Sequence, residues 1–176
     1  MITDRINTKE LFLSLDETWS ELLKLISSAD ASIINTIPFE DSWTAAQLAT
    51  HVTKSNKAIV QGLIMEGKPA ERNPGERVQE LKELFLDFTI KMKSPEFILP
   101  TQKTCNKEMI LADLKKSIEQ LKESGNKVNL SEAISHRAFG EITKFELLHF
   151  VLHHTQRHIH QLKEIIKTLK KPQVHE

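Results

Sequence analysis

Eight histidines occur in this 176-residue sequence, and five of them fall between residues 148 and 162. If that segment is a helix, each residue turns about 100° from the one before it. His154 and His158 then share one stripe with apolar side chains, namely Leu147, Val151, Leu162, Ile165 and Leu169. We therefore expect these two imidazoles to enter the core of the fold.

Two buried imidazoles one turn apart leave polar nitrogens among apolar side chains, and each unsatisfied group costs about 1–3 kcal/mol. A divalent metal ion would satisfy them, because histidines at positions i and i+4 of a helix can direct nitrogens to a common point. His51 is the third candidate ligand, since it stands on the inner stripe of an earlier helix, between Leu48 and Ile59. Three nitrogens leave at least one coordination position open, which is typical of catalytic sites. Three imidazoles suit zinc, nickel, iron or copper, and we expect zinc or nickel.

Two other interpretations of the histidines stay open. Each could be a core residue that is hydrogen-bonded to a neighbour, as most buried polar groups are. The principal ligands could also be His149 and His153, which are four residues apart as well. Together with His160, they fall on a flank of the predicted helix, where we expect the pair to be exposed to solvent.

Four long helices and one shorter segment are needed to position these residues. Glycine and proline are scarce and lie between stretches of helical periodicity, while strand signals are nearly absent. The segment from residue 76 to about 93 is the shorter helix, Gly125 is expected to end the third long helix, and the last one should stop before Pro172. Helix starts are predicted from caps at Thr8, at Thr44 with Gln47, at Asn106, and at Thr143 with Glu146. The pattern predicts an all-α, up-and-down four-helix bundle with a short extra helical segment, as a single domain over residues 1–176.

Charge and composition exclude several classes of partner. Lys plus Arg equals Asp plus Glu at 24 each, so no overall field favours nucleic acid or an anionic membrane. No apolar run approaches the roughly 18 residues of a spanning helix, and Met1 to Asn7 show no export signal. Cys105 is the only cysteine, which fits a reducing compartment. We expect a cytoplasmic protein that acts on a small molecule.

Three stretches, Ser42–His51, Phe139–Thr143 and His154–Leu162, occur in an order and at a spacing that resemble the DinB-like, or YfiT-like, superfamily of metal-dependent helical bundles. The resemblance is to its broad DinB_2 branch in particular and extends across nearly the whole chain. It implies that His51, His154 and His158 are the metal triad. Members of the superfamily are similar in fold to bacillithiol S-transferases and to mycothiol-dependent maleylpyruvate isomerase. Many of them are dimers, which implies a homodimer here.

The leading hypothesis for function is a transferase in which the metal binds a low-molecular-weight thiol, bacillithiol- or glutathione-like, and stabilises its thiolate as a nucleophile. The alternatives are a hydrolase with a metal-activated water and a non-catalytic metal-binding stress protein. Gln161, one turn beyond His158, is a candidate to orient a ligand or a bound water. Arg157 is a candidate to recognise a carboxylate of the thiol cofactor.

Overall fold

The computed structural model describes residues 6–100 and 104–171. Two sequence-based predictions fall partly outside that range: the end of the last helix before Pro172, and the absence of an export signal from Met1 to Asn7. Within the described ranges the chain forms three short strands: β1 (Lys68–Pro69), β2 (Glu132–His136) and β3 (Gly140–Thr143). A 3₁₀ turn spans Glu96–Ile98. The helices are α1 (Thr8–Ser28), α2 (Ala31–Ile34), α3 (Ala45–Ile64), α4 (Val78–Leu86), α5 (Lys107–Lys127) and α6 (Lys144–Lys170).

The four long helices α1, α3, α5 and α6 form the predicted bundle. Both α1 and α3 pack against α5 and α6, and the short α4 lies on α6. Apolar residues recur three and four positions apart on each long helix, so each one buries a stripe in a shared core. The side chains that are fully buried there include Leu15, Leu22, Leu48, Leu63, Leu114, Leu121, Leu147 and Leu148. The all-α four-helix bundle is therefore confirmed. None of the helices in the described residues is both long and apolar enough to cross a membrane.

The helix starts follow the side-chain caps, with one correction. Thr44 and Gln47 form the predicted capping box of α3, and Thr143 and Glu146 form that of α6. Asn106 caps α5 as predicted, because its side chain accepts a hydrogen bond from the backbone of Met109. The predicted Thr8 cap of α1 is wrong. Asn7 takes that position and accepts from the Glu10 amide at 3.1 Å, which makes Thr8 the first helical residue.

Gly125 does not end α5, which continues to Lys127. The glycine is buried inside the helix, where α5 approaches both α1 and α6. A Cβ atom at this position would lie 3.0 Å from the Phe12 ring and 3.2 Å from Leu148. The missing side chain therefore permits close helix packing and has no role as a helix stop.

The shorter helix and the sheet also differ from expectation. α4 ends at Leu86, whereas the periodicity predicts a helix to about residue 93. The strands, which the sequence does not predict, form a small antiparallel sheet in the order β1-β2-β3, with Ile134 opposite Ile142. β3 ends at Thr143, the residue that caps α6. The sheet thus leads directly into the histidine-bearing helix.

Candidate metal centre

The three predicted ligands come together in the core between α3 and α6. His51 is fully buried, and His154 and His158 are 7% and 6% exposed. The Nε2 atom of His154 lies 3.2 Å from that of His51 and 3.1 Å from that of His158. One turn of helix separates the two α6 histidines, and the third ring arrives from more than 100 residues earlier in the chain.

The other nitrogen of two of these rings is already engaged. Nδ1 of His51 lies 2.9 Å from the carbonyl oxygen of Ile98, and Nδ1 of His158 lies 3.0 Å from Oε1 of Gln161. Both partners are acceptors, so each Nδ1 carries the proton and each Nε2 presents a lone pair. His154 can donate to only one of the two through its Nε2. At least one further lone pair stays unpaired inside the core, which is costly unless a cation is present.

The spacing in two of the three nitrogen pairs is close to that around a small divalent ion, and all three ligand atoms lie within 4.8 Å of one another. Zn–N bonds of about 2.0–2.1 Å in a tetrahedral arrangement separate two ligand nitrogens by roughly 3.3–3.4 Å. The two nitrogen–nitrogen distances given above come within a few tenths of an ångström of that value. His51, His154 and His158 therefore form a cluster that could hold a metal ion.

Burial keeps the three imidazoles neutral, as metal binding requires. Desolvation is the largest cause for each: it lowers the pKa of His51, brings that of His158 to about 3, and lowers that of His154 well below its usual value. Nearby positive charge acts in the same direction, from Lys54 on His51 and from Arg157 on the other two. No carboxylate among the described residues contributes to any of these three shifts. The centre is therefore electropositive even before an ion binds.

Gln161 and Arg157 have different surroundings. Gln161 accepts from Nδ1 of His158 and so fixes both the orientation and the tautomer of that ring. The Arg157 guanidinium donates to the backbone carbonyls of Phe85, Asp87 and Ile90. It is thus bound to the segment that follows α4, and carboxylate recognition by this side chain stays a prediction.

The rival pair on the flank is not exposed as expected. His153 is 5% exposed and His149 is half-buried, on a helix against which α4 packs. Nδ1 of His153 donates to Oε1 of Gln156 at 3.0 Å. Nδ1 of His149 and Nε2 of His153 have no hydrogen-bond partner within the described part of the chain. His160 is exposed, and its ring stacks on Phe88 at a centroid distance of 3.9 Å.

Three groups beside the triad are absent from the sequence-based prediction. Ile98 supplies a backbone carbonyl, which any residue type could provide, so no pattern of letters indicates it. Lys54 lies three residues after His51, and that spacing places it on the same side of α3. The Trp43 ring packs 4.9 Å from the His51 ring. Helical spacing could therefore have indicated Lys54. In the structure, its amino group donates to the Leu99 carbonyl at 2.7 Å.

Comparison with known proteins places this fold and centre in a family. The model of the DinB superfamily matches residues 14–162, which include all three histidines. The chain belongs to the DinB superfamily. It is 26% identical over 163 residues to the uncharacterized protein YuaE of Bacillus subtilis (strain 168), an alignment that covers 88% of this chain and 94% of YuaE. Among solved structures, it is similar to TT2238, described as a four-helix bundle protein, with a TM-score of 0.58 and 20% identity. That match covers 89% of this chain and 98% of TT2238, and supports the fold alone.

Proposed function

We propose that this DinB superfamily protein is a metal-dependent transferase, in which a divalent ion held by His51, His154 and His158 activates a low-molecular-weight thiol. The observation that carries the proposal is the convergence of three buried Nε2 atoms, two of them on rings whose Nδ1 protons are donated elsewhere. Zinc or nickel is the proposed ion. When bound, such an ion lowers the pKa of a coordinated thiol and stabilises the thiolate.

The protein residues around the centre favour an anionic fourth ligand. Three neutral imidazoles leave the full charge of a divalent ion uncompensated, and Lys54 and Arg157 add positive charge nearby. The negative charge of a thiolate would balance this positive charge. No separate base would be needed to form the thiolate, because the bound ion lowers the pKa of the thiol. With the ion held by the triad, the thiolate sulfur would form a bond to the electrophilic carbon of the substrate, and the leaving group would depart with the bonding electron pair. The thiol proton passes to solvent.

A hydrolase is less well supported, because metal-activated water usually works with a nearby proton acceptor. Glu146 is the fully buried carboxylate of α6, but its oxygens already accept from Arg72 and from the backbone of Thr143 and Arg77. These bonds commit Glu146 to the start of the helix. Glu164 lies at the other end, where it is exposed near Lys167.

Elemental analysis of protein purified without a histidine tag tests the metal centre. We expect about one divalent ion per chain in the wild type and a large loss in His154→Ala. His149→Ala is the matched control, because it removes a histidine of the same helix that lies outside the triad. Equal metal content in wild type and His154→Ala would contradict the proposed site. Loss in His149→Ala alone would favour the rival pair of ligands.

Steady-state assays of the metal-loaded protein test the reaction. Bacillithiol, glutathione and cysteine are each offered with a generic electrophile, an activated aryl halide, and thioether formation is followed by absorbance. We expect turnover with at least one thiol and loss of turnover in His154→Ala. Ester hydrolysis without any thiol would favour the hydrolase. Absence of both activities at full metal occupancy would favour a non-catalytic metal-binding protein.

The proposal includes a homodimer in the cytoplasm. Both parts come from the sequence: the first from the family resemblance and the second from the single cysteine, Cys105, which fits a reducing compartment. Light scattering coupled to size exclusion measures the oligomeric state, and cell fractionation measures the location.

A further inference from the structure

Residues 87–99, which we call the strap, run from α6 to α3 beside the three histidines. They follow α4, whose Phe85 ring lies 6.0 Å from the His154 ring. They end with the 3₁₀ turn Glu96–Ile98 and Leu99. Most strap side chains are exposed, whereas Ile98 is only 7% exposed. The strap is therefore a surface segment whose last turn reaches into the protein at the metal centre.

The first part of the strap is held by α6. Arg157, next to the ligand His158, donates to the carbonyls of Asp87 and Ile90. The Phe88 ring stacks on His160 with an angle of 3° between the planes. These bonds use backbone carbonyls and a ring face, so they fix the path of the chain with little dependence on the other strap side chains.

The last part of the strap is held by α3, and one of its bonds is made by a metal-ligand candidate. Nδ1 of His51 donates to the Ile98 carbonyl at 2.9 Å, and the Lys54 amino group donates to the Leu99 carbonyl at 2.7 Å. The Arg137 guanidinium, from the turn between β2 and β3, lies 3.4 Å from the centre of the Phe97 ring. The internal bonds of the 3₁₀ turn run from the Ile98 and Leu99 amides to the carbonyls of residues 95 and 96.

His51 thus joins two environments through its two ring nitrogens. Its Nε2 faces the other two triad histidines, and its Nδ1–H faces the strap. A cation at Nε2 withdraws electrons from the ring and makes the Nδ1–H a stronger donor. The cation also holds the His51 ring in the tautomer whose Nδ1–H can donate to the Ile98 carbonyl. Without the ion, the bond from Nδ1–H to the Ile98 carbonyl is a neutral and therefore weaker hydrogen bond.

We propose that the strap is a metal-responsive cover of the active centre: an ion bound by the triad closes the last turn of the strap onto α3 through the bond between His51 and Ile98. This inference rests on the metal-binding half of the proposed function and is independent of the thiol reaction. Loss of the ion loosens the 3₁₀ turn, while the Arg157 end stays attached to α6. The strap then controls entry to the centre from its Ile98 end.

Hydrogen exchange of backbone amides, measured by mass spectrometry, tests the coupling. Full-length protein is compared after chelation and after loading with Zn²⁺, and the bound zinc is quantified in each sample. We expect the Ile98 and Leu99 amides to exchange about tenfold faster in the metal-free protein, the ratio that separates a charge-assisted from a neutral hydrogen bond. Amides of α5, at the far side of α3, should change much less.

A variant pair tests the geometry of the closed strap. Lys54→Met removes the second donor at the Ile98 end and leaves all three triad histidines in place. In the zinc-loaded state, we expect it to speed exchange at Ile98 and Leu99 severalfold while zinc content stays at the wild-type value. Lys122→Met is the matched control, because it removes an exposed lysine that pairs with Asp16 between α5 and α1. It should leave strap exchange unchanged.

The outcomes separate failure of the strap from failure of the metal centre. If zinc binds and strap exchange is the same in both states, the coupling is refuted and the metal centre stands. Equal slowing of exchange in α5 and in the strap would also refute it, because zinc would then stabilise the whole bundle. If no zinc binds to the wild type, the metal centre itself is refuted, and the strap inference with it.

Discussion

The buried histidines make the metal-free protein sensitive to mild acid, and the size of this effect follows from the structure. Burial lowers the pKa of His149 from 6.5 to about 4 and that of His158 to about 3. In the unfolded chain both take up a proton below about pH 6.5. The folded state holds them neutral, so the free energy of unfolding falls as the pH drops below that value.

Each of these two histidines should cost about 2 kcal/mol between pH 7 and pH 5, because a lowered pKa removes about 1.4 kcal/mol per pH unit once the pH is below the unfolded pKa of about 6.5. Together they remove about 4 kcal/mol. The lowered pKa values of His51, His153 and His154 act with the same sign and add to that loss. Carboxylates contribute little here, since they take up protons mainly below pH 5. The loss is a large part of the roughly 5–15 kcal/mol that stabilises a typical domain.

Urea unfolding followed by circular dichroism, in the presence of a chelator at pH 7 and at pH 5, measures this difference. His149→Leu is the informative variant, because it removes one titrating group and leaves the triad intact. We expect its loss between the two pH values to be smaller than that of the wild type by about 2 kcal/mol. A wild-type stability that is equal at both pH values within about 0.5 kcal/mol would refute the reasoning, since the folded protein would then protonate these rings as readily as the unfolded chain.

Substitutions at three further positions test the hydrogen-bond partner of His158, the helix packing at Gly125 and the buried ion pair of Glu146. Gln161→Leu should weaken zinc binding roughly 10–100-fold while the bundle stays folded, because His158 loses the acceptor for its Nδ1 proton. Gln161→Glu should retain most of the zinc affinity. Competition with a chromogenic chelator measures the affinity of both variants. Gly125→Ala should lower the free energy of unfolding by about 1–3 kcal/mol, measured in urea, since its Cβ would press on a ring carbon at 3.0 Å. Arg72→Met should cost about 3–5 kcal/mol and lower the melting temperature, because it leaves the fully buried Glu146 without its bidentate partner. A melting temperature equal to that of the wild type would show that the backbone donors to Glu146 suffice.

Local sequence determined where α3, α5 and α6 begin and which histidines are the triad candidates. The capping boxes at Thr44 and Thr143 are satisfied by residues three positions away, so their effect is independent of the rest of the fold. Rotation along one helix likewise places His154 and His158 on a common face. These features depend on neighbours within a single turn, and for that reason they can be predicted from the order of residues.

Only the tertiary structure decided which other groups meet the histidines. His153 is buried on a helix against which α4 packs, and no spacing within α6 contains this information. Gly125, which has the sequence character of a helix stop, lies inside α5 because two other helices approach it there. The Ile98 carbonyl is available from any residue type and reaches His51 only through the path of the strap. Contacts between distant segments depend on where whole elements pack, and the three-dimensional arrangement alone specifies them.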